Sequence, residues 1–321
     1  MKAERLKLGD TIGIIAPSSP ITEKYKKYLN NSIKIFQDMG FKIKLSKNIY
    51  KNTWGYSATP EEKASDINDM FSDKEVKAII SAIGGDNSFN CLGLIDYENI
   101  KKNPKIICGY SDATNYLEAI YAKTGLITYH QLEMIDLGRS NKKDFELNQF
   151  RKTLIDGILG EIDKNSKYKV LQKGCAEGII VGGNVPSIVT LLNTEYLPDL
   201  TDKILFLEVY ATSTDFDLAD RYIGLLKYHG VFDKIKGLWI GHYNGDTENT
   251  KIEDVFMRHL KGYNFPILKC DDFGHDCEKV VIPIGARVKF DANNCNVIIL
   301  EENYSKKDIF FTIKNSFKIH K

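Results

Sequence analysis

IICGYSDATN, residues 106–115, frames both the fold and the site. An apolar run stops at Gly109, Ser111 follows between Tyr110 and Asp112, and a helical pattern, ATNYLEAIYAKTG (113–125), comes next. Strand, sharp turn, serine and helix make the build of a nucleophile elbow, in which the turn lifts the hydroxyl out beside the positive end of the helix. Gly109 leaves room where a side chain would collide. Position 113 is alanine, so the G-x-S-x-G pattern is incomplete. A second reading therefore stands beside the first, with Ser111 or Asp112 only capping the helix.

Working outward, the first 130 residues alternate strand-like and helix-like segments. TIGIIAPSS (11–19), FKIKLSKNI (41–49), VKAIISAIGGD (76–86), PKIICGYSD (104–112) and LITYHQLE (126–133) read as strands. EKYKKYLNNSIKIFQDMG (23–40) and TPEEKASDINDMFSD (59–73) carry helical spacing with recognisable stop and start signals. Strands separated by helices of this kind predict βαβ units and a parallel sheet, whose active sites gather at the carboxyl ends of the strands. After a mostly helical polar stretch (142–159) the texture changes. AEGIIVGGN (176–184), KILFLEVY (203–210), IKGLWIGHY (235–243), VVIPIGARVKFDA (280–292) and CNVIILE (295–301) are β-rich, with helical inserts near 184–193 and 214–229. The expected layout is an N-terminal parallel-sheet α/β domain over 1–160, a linker over 161–175 and a β-rich mixed domain over 176–321, with the site in the groove between them.

Bulk properties exclude several classes. A formal net charge of +1 gives no basic face for nucleic acid. No apolar run approaches the roughly 20 residues that span a bilayer, and the first ten residues lack a signal-peptide core. Several of the six cysteines sit inside apolar runs, as expected of the reduced thiols of a cytosolic protein. No G-x-G-x-x-G or P-loop pattern points to a nucleotide cofactor. Cys270, His275 and Cys277 lie close together, but their spacing is not that of a zinc site, so neither metal nor organic cofactor is expected.

A serine nucleophile needs a base, and the base needs an orienting carboxylate. Of six histidines, His130, His242 and His275 fall at strand ends or in loops, whereas His229 and His259 sit in charged helical stretches and His320 in the tail. No spacing rule selects among the first three. Glu208 interrupts the strongly apolar ILFLEV, where an ionised side chain needs a partner unless it faces water at an edge strand. The glycines of AIGGDNS (82–88) let backbone N–H groups approach a ligand, and Asp112 N–H is the natural second donor of an oxyanion hole. The stretches LKLGDTIGIIAPSSP, AIGGDNSFNCLGLIDYENIKKNPKIICGYSDATN, GLITYH, AEGIIVGGNVPSIVTLLNT, ILFLEVYATSTDFDLADRYIGLL and FGHDCEKVVIPIGARV span nearly the whole chain. Taken together, they resemble the family of L,D-carboxypeptidases and microcin C immunity peptidases.

That resemblance implies a Ser-Glu-His triad of Ser111, Glu208 and His275, with the backbone N–H groups of Asp112 and of Gly85 or Asp86 as oxyanion donors. Gly84, Asn87, Ser88, Tyr110 and His130 are the expected substrate-binding residues. It also implies a homodimer. Two departures bear on substrate. Many relatives have H-G-P or Y-G-P where this chain has His130-Gln131-Leu132. GGDNS (84–88) is closer to the immunity branch, yet EIDKNSKYKVLQKGC (161–175) lacks that branch's longer, tryptophan-bearing loop. The expected activity is release of D-alanine from a murein tetrapeptide. Cleavage of an aminoacyl- or peptidyl-nucleotide conjugate is the alternative, and a non-catalytic small-ligand binding protein is the alternative of another class.

Overall fold

The computed structural model describes residues 1–130, 133–141, 143–157, 159–210 and 216–305. Gln131, Leu132 and His320 lie outside them. Five strands alternate with helices in the first half: β1 (Thr11–Ile15), α1 (Glu23–Asp38), β2 (Lys42–Leu45), α2 (Pro60–Ser72), β3 (Val76–Ser81), α3 (Tyr97–Lys102), β4 (Ile106–Gly109), α4 (Thr114–Thr124) and β5 (Thr128–His130). Local chemistry sets the boundaries. In α1, Leu29, Ser32 and Phe36 recur at helical spacing on the buried face. Thr59 and Glu62 close a capping box at the start of α2, with Pro60 in its first turn. Gly125 ends α4 in the left-handed region at φ 71°.

Helices α5 (Met134–Arg139) and α6 (Asp144–Phe150), then a π-helical turn at Arg151–Gly157, lead into the second half. It contains β6 (Gly160–Glu161), β7 (Lys169–Gln172), β8 (Cys175–Asn184), α7 (Val185–Leu191), β9 (Ile204–Glu208), α8 (Asp217–Tyr228), β10 (Gly237–Ile240), α9 (Ile252–His259), β11 (Ile267–Lys269), β12 (Ile282–Ile284), β13 (Arg287–Asp291) and β14 (Asn296–Ile299). Part of the stretch expected as a linker is thus regular: β7 runs antiparallel to β11 at the edge of the second sheet.

The first sheet has the order β12-β5-β4-β3-β1-β2. Its strands β1 to β5 are parallel, and β12 from the second half closes its edge antiparallel to β5. Order 2-1-3-4-5 is a doubly wound sheet whose switch point lies between β1 and β3, where ligands bind beyond the strand ends. The second sheet has eight strands, β6-β14-β13-β8-β9-β10-β11-β7, with β8 to β11 parallel. One contiguous apolar core runs through both halves. Helix α4 is the seam: Asn184 N–H donates to Thr114 Oγ1 at 3.1 Å, and Gly182 N–H to Glu118 Oε1 at 2.6 Å. Among the described residues, no helix is long and apolar enough to cross a membrane.

Candidate active site

Ser111 stands just past β4 with φ at 58°, in the left-handed region that a non-glycine residue adopts only under constraint. Gly109 is required for the turn, because a Cβ there would lie 2.6 Å from Ala113 Cβ and 3.0 Å from Ser81 Cβ. The serine hydroxyl meets His275 Nε2 at 3.0 Å, and His275 Nδ1 meets Glu208 Oε2 at 3.0 Å. Three side chains from positions 111, 208 and 275 therefore form one hydrogen-bonded chain.

Glu208 ends β9, an interior strand, and is fully buried, so the edge-strand alternative does not apply. Its register partner at the end of β8 is Asn184, whose Nδ2 donates to Glu208 Oε1 at 2.8 Å. Burial pushes the Glu208 carboxyl up, but His275 and Asn184 more than offset it and hold the group below the usual carboxylate range. With an ionised acceptor at Nδ1, the imidazole carries its proton there and turns the lone pair of Nε2 to the serine hydroxyl. His275 follows Gly274, which sits at φ 123° against the His242 carbonyl. The Tyr210 ring stacks on His275 at 4.1 Å between centroids, and Tyr110 stands 5.0 Å away on another side.

A cavity of about 660 Å³ opens in front of this chain. The loops after β1, β3 and β4 line it with Ser19, Gly84, Gly85, Asp86, Tyr110, Ser111 and Asp112, as the strand order predicts. From the other half come Asn184, Ser187, Tyr210, Tyr222, His275 and Asp276. The cavity is the groove between the halves. Gly85 sits at φ 148° and packs on Ser18 and Ser19, leaving no space for a side chain. The Asp112 carboxylate points inward, accepting from Ser88 N–H at 2.8 Å, Asn115 Nδ2 at 2.7 Å and the Ser18 hydroxyl, which fixes the loops to one another.

Three expected substrate contacts are placed elsewhere. Ser88 is fully buried, and its hydroxyl donates to the Asp112 carbonyl. Asn87 turns toward the buried Lys63 ammonium, accepting through its side chain and its backbone carbonyl. His130 is fully buried among Tyr110, Phe206 and Phe273 and does not reach the cavity. Burial pushes its imidazole down to about 4, so it stays neutral behind the site. Aromatic neighbours around His130, and hydrogen bonds to Lys63 and Asp112 for Asn87 and Ser88, turned them inward, and neither is visible in a one-dimensional pattern. His242 pairs with Asp271 at 2.9 Å, and His259 with Asp220 at 2.9 Å. Among the described residues, no cluster of histidine, cysteine and carboxylate side chains is arranged to hold a metal ion.

Sequence reading overlooked Asn184, Tyr210 and also Glu133, which borders the cavity. Asn184 carried a signal, since it closes the apolar strand GIIVGGN just before a proline-containing helix start, where asparagine caps. Tyr210 and Glu133 carried none.

The LD-carboxypeptidase N-terminal domain matches residues 12–131, and the LD-carboxypeptidase C-terminal domain matches residues 177–290. The chain is 31% identical to the microcin C7 self-immunity protein MccF of Escherichia coli, over 94% of this chain and 96% of that protein. It is 29% identical to a probable murein peptide carboxypeptidase of Bacillus subtilis, over 93% and 94% of the two chains. A structure of MccF in complex with glutamyl sulfamoyl guanosine superimposes with a TM-score of 0.87 at 30% identity, covering 95% of this chain and 99% of that one.

Proposed function

The chain belongs to the LD-carboxypeptidase family, and from that premise we propose that Ser111, His275 and Glu208 hydrolyse an amide bond near the carboxyl end of a small peptide. The observation that carries the proposal is the unbroken contact from Ser111 Oγ through His275 to a buried Glu208, opening on the groove.

The steps follow from the geometry. His275 Nε2 takes the Ser111 proton as Oγ attacks the scissile carbonyl carbon. The carbonyl oxygen becomes an oxyanion, for which the N–H groups of Asp112 and of Gly85 or Asp86 are the donors. Collapse breaks the C–N bond, and the imidazolium gives its proton to the departing amine. Water, deprotonated by the same imidazole, then attacks the ester, and Ser111 recovers its proton as the carboxylic acid leaves. Glu208 stabilises the imidazolium and does not itself take the proton.

Substrate follows from the groove walls. Arg139 is the one arginine or lysine among the described residues that line the cavity, and it supports recognition of a terminal carboxylate. We read the substrate as a murein tetrapeptide that loses its terminal D-alanine. A second reading, cleavage of an aminoacyl- or peptidyl-nucleotide, is favoured by the rings of Tyr25, Tyr210 and Tyr222 along the same cavity, flat surfaces on which a base could stack. Incubating the protein with a murein tetrapeptide and, separately, with an aminoacyl sulfamoyl nucleoside, then reading products by mass spectrometry, separates the two. S111A is expected to lower kcat on the accepted substrate by about 10⁴-fold or more, with an unchanged circular dichroism spectrum. Wild-type turnover in S111A would refute the assignment.

A further inference from the structure

Behind the nucleophile lies a carboxyl group that the mechanism above does not use. Glu133, just before α5, is 4% exposed and borders the cavity. Its Oε2 accepts Gly84 N–H at 2.6 Å, and its Oε1 meets the Ser81 hydroxyl at 3.1 Å. Gly84 rests directly on the serine: a Cβ there would lie 2.9 Å from Ser111 Cβ, 3.0 Å from Ser111 Oγ and 3.5 Å from Glu133 Oε1. The Gly84 carbonyl accepts Ser19 N–H at 3.1 Å. Because a peptide unit is planar and trans, fixing that carbonyl toward Ser19 aims the Gly85 N–H, on the other edge of the same plane, away from Ser19.

We propose that Glu133 is a positioning residue for the oxyanion loop: its carboxyl clamps Gly84 so that Gly85 N–H stays directed at the oxygen that becomes charged when Ser111 attacks. The inference rests on the serine-peptidase reading and names the group that preorganises its electrostatics. A proton on this carboxyl favours the reaction, because an ionised carboxylate this close to the nucleophile would oppose the developing oxyanion. Ser81 and Gly84 touch Glu133, and Asp136 on α5, Lys279 before β12, Tyr110 and Tyr116 are its electrostatic neighbours. Burial pushes the Glu133 carboxyl well up and Asp136 adds to it, while Gly84 N–H, Ser81 and Lys279 pull the other way. Lys279 is already engaged by Asp136 at 3.8 Å and Glu146 at 3.5 Å.

The test uses a fluorophosphonate, whose P=O oxygen must enter the oxyanion hole as Ser111 displaces fluoride. Labelling of the full-length chain is timed by intact-protein mass spectrometry. E133L is expected to label about 100-fold more slowly than wild type, the cost of losing one oxyanion donor, and E133Q, which still accepts from Gly84, within about threefold. The wild-type rate is expected to fall as rising pH ionises Glu133, whose titration burial shifts upward, and E133Q to lack that fall, a readout that a merely structural role would not move. Equal labelling of E133L and wild type overturns the proposal. If E133L does not fold, identical pH profiles in E133Q and wild type overturn it instead. A wild-type chain that neither labels at Ser111 nor turns over either candidate substrate overturns the serine-peptidase reading, and Glu133 with it. Labelled wild type with indifferent variants sinks Glu133 alone.

Discussion

Ser111 holds φ at 58°, a conformation that costs about 1–3 kcal/mol and persists only where the surroundings over-determine it. Gly84 is part of that surrounding. Alanine at 84 would drive its Cβ into Ser111 Cβ at 2.9 Å, so either the loop or Ser111 must shift. A misplacement of about 1 Å from reactive geometry costs about 100-fold in rate. G84A is expected to lose roughly that factor in kcat while its thermal midpoint moves little, because the substitution lies at a cavity wall and deletes no core contact. Steady-state kinetics beside a thermal melt checks this, and wild-type kcat in G84A would show that the loop does not need a bare backbone there. The same residues show what could be read in advance. Ser111, Glu208 and His275 were legible because each sits in a run whose resemblance to a family extends on both sides. Asn87, Ser88 and His130 lie in equally suggestive runs, but burial and hydrogen bonding turn them inward. Glu133 was illegible for a different reason: its importance depends on a contact with Gly84, across a separation that no local pattern encodes.

Helix α4 carries the seam between the halves, and Glu118 is its unusual component. One oxygen accepts Gly182 N–H, and the other is buried without a hydrogen-bond partner. Burial raises the carboxyl to about 8, with the Gly182 hydrogen bond pulling weakly the other way. An unfolded chain releases this proton near the ordinary 4.5, whereas the folded chain keeps it to about 8. Stability from this group is therefore full below 4.5, declines as pH rises between 4.5 and about 8, and is flat above. The decline amounts to a few kcal/mol, at about 1.4 kcal/mol per pH unit at most. E118Q keeps an acceptor for Gly182 and has no proton to lose, so urea unfolding at pH 5 and pH 8 should show a smaller drop than in wild type. Equal drops would mean that other groups set the slope. At this scale the sequence was clear where a segment's own chemistry fixes it, as in the capping box of α2 and the glycines that follow α1 and α4. It was silent where pairing is remote. Lys169–Gln172 has the look of a polar connector, and only the presence of β11 beside it makes a strand.

At the scale of the whole molecule, the chain order and the spatial order disagree at one place. Ile282–Ile284 belongs by sequence to the β-rich half, yet it pairs with Thr128–His130 as the last strand of the first sheet. The chain then returns at once to the second sheet, with Gly285 N–H donating to the Ile180 carbonyl at 2.8 Å and Ile180 N–H to the Ala286 carbonyl at 2.9 Å. His275 lies on the segment leading to that strand, so the crossing that closes the first sheet also delivers the imidazole to Ser111. Residues 1–160 alone would leave the edge of β5 unpaired and would expose the face of α4 that β8 covers, including Glu118 and Thr114. Open strand edges and uncovered apolar faces favour association over folding. A 1–160 fragment is therefore expected to lack a cooperative melt and to aggregate, although its sheet reads as a complete parallel unit. The full chain, with one core through both halves, is expected to unfold in a single calorimetric transition that coincides with loss of Ser111 labelling. A soluble fragment with its own sharp transition, or two separated transitions in the full chain, would show that the crossing strand serves the site without holding the halves together.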